Sequence, residues 1–456
     1  MMIARPASIL LFLTVLVQSQ FVSAAEVSTS DPDTGQSALQ SSIEQQQEVS
    51  RYRDRIAELE SEYGGFDRRL LESLQGLTTA LIAAGELDEA DRVLQRQLHL
   101  LRTLDGPSNP DQLPTVAELI NNDIRRQDWK NVAERFEYIY WLRGQDVDAA
   151  PEALLNARDD LAAWHLAAIY VGNPRIRFRN FQKARQWQRE NLFFAEDSFA
   201  EDSPELIPWL YKHAITQYQV YAMLTADDEL GFDARSEIMR IEGWPLKSYL
   251  REGLNTVKRI RNIVAAHSDT EAEAMAMIYE ADYQMLLELG TSAKLYRRAM
   301  EKLKESGKTE DQVEAFFQRP VVLPVEQMYF SLDEALEEQA GYNYKSEPVE
   351  NGDGDSIHMG DFIAWNESLP FLRRPGMPQL ASSVKTPLNE VELVFSISSR
   401  GKSRNPKVLQ SEPDKVRVKR DARDAIKAMQ FRPRFVHGKW QRINDVKIRY
   451  LYPPRQ

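Results

Sequence analysis

The pattern of apolar and polar residues divides the chain into a long helical part and a short C-terminal part that contains strands. From about residue 42 to residue 340, apolar side chains recur at helical spacing and proline stands mainly at segment edges. Near the end, Val391, Leu393 and Phe395 alternate with polar residues, which is the period of a half-buried strand. We therefore predict a mainly α-helical fold that ends in a small α+β domain.

The helical part contains an internal repeat. In the segment Gly76–Leu94, Gly85 allows a tight turn between two helices, and Ala90 lets those helices approach closely. Three later segments echo this pattern, beginning at Gln127, Asn180 and Ser292. The segment resembles a tetratricopeptide repeat (TPR), although the echoes are spaced further apart than the standard period of about 34 residues. We predict a degenerate TPR-like α-solenoid with a concave partner-binding surface. The alternative is a scaffold that only positions the C-terminal domain.

Aromatic residues are dense in the helical part, and their helical spacing is more typical of a core than of a ligand site. We predict a core role for Trp129, Tyr138, Tyr140, Trp141, Trp164, Tyr170, Trp187, Trp209, Tyr211, Tyr218 and Tyr221.

The C-terminal part has the predicted order strand, strand, helix, strand. Gly401 supplies a turn after the first strand, and a second apolar run follows it. Apolar residues then recur at helical spacing from Val418 to Met429, and Pro433 prevents the helix from continuing. Val446 and Ile448 belong to a final alternating segment.

These residues resemble the C-terminal domain of TonB-type energy transducers. Phe431, Pro433, Gly438 and the final strand fit that family's pattern. Upstream, Pro378 fits an entry motif of the form R-x-x-Y-P-x-x-A, with Met377 in place of the tyrosine. The resemblance covers roughly residues 374–453 and implies a small β-β-α-β fold.

The resemblance also implies a binding mode. Domains of this type bind a short extended segment of an outer-membrane TonB-dependent transporter by adding it as a strand to the edge of the sheet. Carried onto this chain, the edge would be the final strand, with the candidate partner-binding residues Asn444, Val446, Ile448, Arg449, Tyr450 and Tyr452. The alternative is that this strand is simply packed, or is covered by the helical body.

The N-terminus predicts export. Arg5 precedes a short apolar run from Ile9 to Val17, and small residues at Ala24 and Ala25 suit signal-peptide cleavage near that point. An uncleaved anchor is the alternative, although a run of nine residues is shorter than the roughly 20 needed to span a bilayer. The chain contains no cysteine, which fits a protein of the Gram-negative periplasm that needs no disulfides. A cleaved signal departs from TonB transducers, which keep an N-terminal membrane helix.

These observations give a predicted domain organisation. The segments are a signal peptide (1–25), a flexible leader (26–41), a TPR-like helical repeat domain (42–340), a linker or loop (341–373) and a TonB C-terminal-like domain (374–456). The linker is acidic and rich in glycine, and it begins to match a calcium loop. The match fails at Ser356 and Phe362, which stand where a calcium loop needs glycine and glutamate.

Charge is distributed unevenly along the chain. Residues 385–456 contain 18 Lys and Arg against 7 Asp and Glu, whereas the rest contains 39 against 62. A basic module on an acidic body suits contact between the two or contact with an acidic partner surface. The alternative is that the basic residues are only a solvated face. Because the chain is expected to be exported, nucleic acid is not an expected partner.

No motif for catalysis is present. The six histidines lie far apart, and no nucleotide-binding loop or serine-hydrolase elbow occurs. We therefore predict a non-enzymatic protein without metal or cofactor. Its predicted partners are periplasmic proteins, and membrane association would come only through them unless the N-terminal segment is retained. Two functions stay open: a TonB-like adaptor or energy-coupling component, and an envelope scaffold with no role in energised transport.

Overall fold

The computed structural model describes most of the chain. The described residues are 32–145, 150–171, 173–225, 246–341, 345–348, 355–362 and 388–452, together with the single residues 236 and 240. The predicted signal peptide, with its cleavage site at Ala24 or Ala25, lies outside them, as does Pro378 of the entry motif.

Helices make up most of the described residues between Pro32 and Gly341. In order they are α1 (Pro32–Tyr63), α2 (Leu70–Ala83), α3 (Leu87–Asp105), α4 (Leu113–Arg126), α5 (Trp129–Gly144), α6 (Pro151–Val171), α7 (Arg177–Ser198), α8 (Ile207–Thr225), α9 (Lys247–Ala266), α10 (Thr270–Leu286), α11 (Ser292–Glu305), α12 (Glu310–Gln318) and α13 (Leu332–Gly341). Each helix from α1 to α8 packs mainly against its neighbours in sequence, as do α8 to α12. Short connections between such neighbours make antiparallel helix hairpins. The prediction of a mainly helical fold is confirmed.

The hairpin of α2 and α3 shows how the repeat sequence forms this arrangement. Gly85 sits in the turn at φ +79°, a conformation that side chains other than glycine rarely adopt. Ala90 is fully buried, in one apolar cluster with Leu74, Leu77 and Leu81 of α2. The turn before α5 uses Gln127 at φ +58° in the same way, and Asp128 then caps the helix by accepting from the Asn131 N–H.

The C-terminal part is a sheet covered by one helix. Its elements are β2 (Lys345–Pro348), β3 (Asp355–Phe362), β4 (Asn389–Ile397), β5 (Ser403–Glu412), α14 (Val416–Ala428), β6 (Gln430–Phe431), β7 (Arg434–Val436), β8 (Lys439–Gln441) and β9 (Ile443–Tyr452), and β1 (Val322–Leu323) lies in the helical body. The main sheet has the order β2-β3-β9-β4-β5, in which β3 and β9 are parallel and the other pairs antiparallel. A pair β7-β8 and a pair β1-β6 complete the strands of the described chain.

The core of this sheet lies between its strands and α14. Val418, Ala422 and Ile426 form the buried stripe of the helix, at the spacing expected for one helical face. They pack on the buried side chains of β4 and β9, such as Leu393 and Ile448. The small α+β part therefore has its own apolar core, separate from that of the helices.

Two expected boundaries differ from the structure. The segment predicted as a linker, 341–373, contributes β2 and β3 to the sheet, because Ile357 and Met359 alternate with polar residues and are buried. The leader predicted as flexible, 26–41, is helical from Pro32. Once α1 is held by its packed residues, each further turn costs little, since one hydrogen bond is added per residue fixed.

Within the described residues, no helix is long and apolar enough to cross a membrane. In the same residues, no group of His, Asp and Glu is arranged to hold a metal ion.

Candidate interaction sites

The final strand lies in the middle of the sheet and not at its edge. β9 pairs on one side with β4, where Tyr450 stands opposite Val391. On the other side it pairs with β3, where Val446 stands opposite Ile357. The sequence signal for β3 is short and follows an acidic glycine-rich run, so the expectation of a free last strand overlooked it. Among the described residues both main-chain edges of β9 are occupied, and strand addition there would require β3 to leave.

The six candidate partner-binding residues on β9 divide by face. Val446, Ile448, Tyr450 and Tyr452 are buried under α14, and the Tyr452 hydroxyl donates to the Val418 carbonyl oxygen at 2.9 Å. Asn444 and Arg449 are exposed. The Arg449 guanidinium binds both carboxylate oxygens of Asp361 on β3 and lies 3.6 Å from Glu390 on β4. It therefore links the three strands to one another.

β5 is one of the two edge strands of the sheet. It carries features that discourage pairing with a further strand. Its register with β4 shifts twice, Pro406 has no N–H to donate, and Asn405 has φ +53°. Bulges, proline and lysine on an edge strand are common protections against unwanted pairing. Leu409 nevertheless leaves an aliphatic side chain 52% exposed on this strand.

The motif residues of the C-terminal part take structural positions. Gly401 has φ +73°, and a Cβ at this position would collide with the Phe431 carbonyl oxygen. The Phe431 N–H donates to the Gly401 carbonyl oxygen at 2.7 Å, and the Phe431 ring is fully buried against Phe395. Gly438 forms the β7-β8 turn with His437, both at positive φ, as two-residue hairpins require. Pro433 lies between β6 and β7.

A buried ion pair joins the C-terminal part to the helical body. The Arg432 guanidinium donates to both carboxylate oxygens of Asp282 in α10, at 3.0 and 2.6 Å. The two side chains are 3% and 0% exposed. The Tyr296 hydroxyl donates to the same carboxylate, and the guanidinium lies over the Phe316 ring at 4.9 Å. Burial alone would lower the pKa of Arg432, but the Asp282 charge raises it above its ordinary value.

Main-chain and aromatic contacts extend this joint. The Arg432 N–H donates to the Val321 carbonyl oxygen at 2.8 Å, and β6 pairs with β1 of the body. Phe435 and Trp440, on the β7-β8 hairpin, pack on the apolar core of the body. The Trp440 ring lies 6.0 Å from that of Tyr296. The joint fixes the direction in which the sheet points from the helices.

A recess of about 980 Å³ opens where the turns of three helix pairs meet, those of α2-α3, α4-α5 and α6-α7. It is bordered by the turn from α2 to α3, the turn from α4 to α5 and the start of α7, with the end of α6 beneath. Trp164, His165 and Ala168 form a floor that is almost completely buried. Trp129 stands at one wall, 6.2 Å from Trp164 between ring centroids. Ile176, which is 40% exposed, lines the recess as well.

His165 in this floor is an uncharged polar group in an apolar setting. Burial lowers its pKa to about 4, with a smaller contribution in the same direction from the charge of Lys183. Neither ring nitrogen has a well-formed hydrogen bond with any described residue, although the Asn180 amide is close enough to favour the charged form. That amide donates instead to the Ala168 carbonyl oxygen at 3.3 Å. At neutral pH the imidazole therefore holds an unused donor and an unused acceptor.

The charges around the recess are balanced. Its lining residues include four carboxylates and four cations. Several are paired with one another: Arg126 with Asp88 at 2.8 Å, Lys130 with Glu134 at 3.6 Å, and Lys183 with Glu137 at 3.2 Å. The recess thus has an apolar floor, surrounded by charged side chains in which neither positive nor negative charge is in excess.

The sequence patterns did not single out His165 or the Arg432–Asp282 pair. His165 was one of six scattered histidines, and no spacing distinguishes it. Asp282 did offer a signal, because it stands in the apolar run of α10, where every residue from Ala274 to Tyr283 is buried. A charge within such a run indicates a buried partner, but its position 150 residues away could not be found from spacing. The predicted core role is confirmed for Trp164, which is 1% exposed. It is wrong for Trp141, which is 43% exposed.

The chain was compared with known proteins. No protein-family model and no curated protein sequence matches it. Among solved structures, the TPR-like repeats of a kinesin light chain of Podosopora anserina are 14% identical, with 53% of this chain and 100% of that chain covered and a TM-score of 0.30. BtubC from P. vanneervenii is 12% identical, with 69% and 96% covered and a TM-score of 0.29. Because these scores are low, the description of the helical body as TPR-like hairpins rests on the helix pairing of this chain itself.

Proposed function

We propose that this chain is a non-enzymatic adaptor of the bacterial periplasm whose helical body holds a protein partner. The observation that carries the proposal is the stack of hairpins, with an open recess across the turns of three helix pairs. Stacked helix pairs form extended surfaces that suit protein recognition. The buried Arg432–Asp282 joint supports the adaptor role, because it sets the C-terminal sheet in a defined direction from that body.

The scaffold form of this function is favoured over energy coupling to outer-membrane transporters. Coupling by the expected route needs a free last strand, whereas β9 is paired on both sides. TonB-like coupling stays as a second candidate, because the order of elements and the Gly401–Phe431 contact match the motif that suggested it. In that case the pairing edge would be one of the two outer strands, β2 or β5.

In-cell photocrosslinking tests the proposal. A photoreactive residue is placed at exposed positions of the body, Arg92, Lys130 and Arg179, and on the edge strand at Lys407. The adaptor proposal expects one envelope protein to be captured repeatedly from neighbouring body positions. Capture of a transporter's N-terminal segment from Lys407 alone, with nothing from the body, would replace the adaptor with the second candidate.

The proposed compartment has its own measurement. Sequencing of the mature N-terminus in a periplasmic extract should start at Ala25 or Glu26, since cleavage is expected near Ala24 or Ala25. Recovery of the chain in the membrane fraction with Met1 retained would show an anchored protein and restore a route to the inner membrane.

A further inference from the structure

The recess beside α5 and α7 has the composition of a site for one kind of ligand. Ligand sites are concave and mostly apolar, with a few polar groups, and commonly have volumes of about 300–1,000 Å³. This recess has about 980 Å³, two tryptophans and a single buried imidazole. Its volume suits several residues of an extended peptide better than a small ion.

We propose that this recess binds an uncharged, extended peptide segment of the adaptor's protein partner, with one large apolar side chain seated over Trp164 and His165. The inference rests on the proposed function and deepens it by naming the site and the chemistry of the bound segment.

The first argument is the unused hydrogen-bonding capacity of His165. The side chain is 2% exposed and keeps a donor and an acceptor without a well-formed partner among the described residues. Buried polar groups in folded proteins nearly always have a partner, either protein or ordered water. A peptide amide, directly or through one bridging water, offers both a donor and an acceptor. A purely apolar ligand would leave the imidazole unsatisfied.

The second argument is charge. The four carboxylates and four cations of the lining leave no net field to attract an acidic or a basic segment. Three of these cations are already paired with a carboxylate of the lining, at 2.8, 3.6 and 3.2 Å. A charged ligand would have to break such pairs, whereas an uncharged segment passes between them. The apolar anchor then contacts Trp129, Ile176 and the floor.

The test uses the full chain and a display library of random 12-residue peptides. Peptides that are enriched on the wild-type protein should share one large apolar residue flanked by uncharged residues. Fluorescence anisotropy with a labelled synthetic copy should then show that His165→Phe and Ile176→Ala each weaken binding by about tenfold, which is the effect of losing one hydrogen bond or one wall contact. Phe193→Ala is the matched control, because Phe193 is 62% exposed on the same helix as the recess wall but outside the lining.

A second readout reports on the imidazole itself. The chain has six histidines, so ring-¹⁵N labelling gives few signals, and the one lost in His165→Gln is that of His165. Peptide binding should shift this signal and leave the other five in place. If His165→Phe fails to fold, as circular dichroism would show, Ile176→Ala still tests the site.

The outcomes separate this inference from the adaptor function. The recess proposal is overturned if no peptide is enriched, if enriched peptides are charged, or if Ile176→Ala binds them as well as wild type does. In that case crosslinks from Arg92, which is exposed and lies outside the recess lining, would still uphold the adaptor. Conversely, peptide binding that needs His165 and Ile176, with no protein captured in cells, would keep the site and reject the adaptor.

Discussion

Individual residues in this chain differ sharply in how much of the fold depends on them, and the glycines show why. Gly401 and Gly438 both have φ +73°, so a side chain at either position is strained by its backbone. Only at Gly401 would a Cβ also collide with a main-chain atom, the Phe431 carbonyl oxygen, whereas nothing lies within 4 Å at Gly438. Comparing alanine substitutions at the two glycines therefore distinguishes the cost of backbone strain from the cost of a steric collision.

We predict that Gly401→Ala lowers the free energy of unfolding by about 3 kcal/mol or more, because strain and collision add. Gly438→Ala should cost about 1 kcal/mol, from the left-handed backbone alone. Urea unfolding followed by circular dichroism measures both. Equal losses in the two variants would contradict the close approach of Gly401 to the Phe431 carbonyl oxygen.

His165 gives a pH-dependent prediction. Burial lowers its pKa in the folded chain to about 4, against an ordinary value of about 6.5. Between these values the unfolded chain takes up a proton that the folded chain refuses, so stability falls as the pH is lowered from about 6.5 to about 4. The loss attributable to this histidine should reach about 1 kcal/mol at a pH of about 5.5.

Two variants isolate this effect in urea titrations at several pH values. His165→Phe and His165→Gln should both lack the acid-dependent loss, since neither side chain titrates in that range. Only His165→Phe should also be more stable than wild type at neutral pH, because it removes an unsatisfied buried polar group. Parallel pH curves for wild type and both variants would contradict the low pKa.

At the scale of elements, β9 is protected by neighbours on both sides. We predict that amides in residues 443–452 exchange with deuterium much more slowly than those in residues 403–412 of β5, which has a partner only on the side of β4. Hydrogen-exchange mass spectrometry on peptic fragments measures the contrast. Similar exchange in the two strands would return β9 to the edge position that the sequence suggested.

The helices and the order of the C-terminal elements could be predicted from the sequence, because both depend on local signals. Helical spacing, the turn at Gly85 and the alternation from Val391 to Ile397 are all contained within short windows. The position of β9 could not be predicted in this way, since it depends on which distant strand pairs with it. The four apolar positions from Val446 to Tyr452 indicate a strand with a buried face, but they are the same for a central strand and for an edge strand.

The same distinction applies to the candidate sites. The turn residues of the repeat were found because each acts on its own neighbours. The recess is assembled from three turns about 40 and 50 residues apart in sequence, at Gly85, Gln127 and Ile176. His165 becomes notable only once its burial is known, and burial of one side chain is a property of the whole packing.

On the scale of the whole molecule, the Arg432–Asp282 pair decides whether body and sheet act as one unit. We predict that Arg432→Ala costs about 3–5 kcal/mol, because it leaves the fully buried Asp282 carboxylate without its counter-ion. The unfolding transition of the sheet should then separate from that of the body. Differential scanning calorimetry, which resolves separate unfolding transitions, measures this change.

A double variant is the control for this prediction. Asp282→Leu combined with Arg432→Met replaces the pair by apolar side chains and should recover most of the lost stability, since no buried charge is left unpaired. A single-variant loss below about 1 kcal/mol would be that of an exposed ion pair and would contradict the buried joint.

The central position of β9 has a consequence for the order of events during synthesis. The strand Ile443–Tyr452 lies between β3 and β4, both of which leave the ribosome before it. Until it arrives, β3 lacks the neighbour on which it packs in parallel, and β4 lacks one of its two partners. The sheet therefore stays open until this strand has been synthesised. A chain that stops before this strand would expose two unpaired edges and become a substrate for proteases.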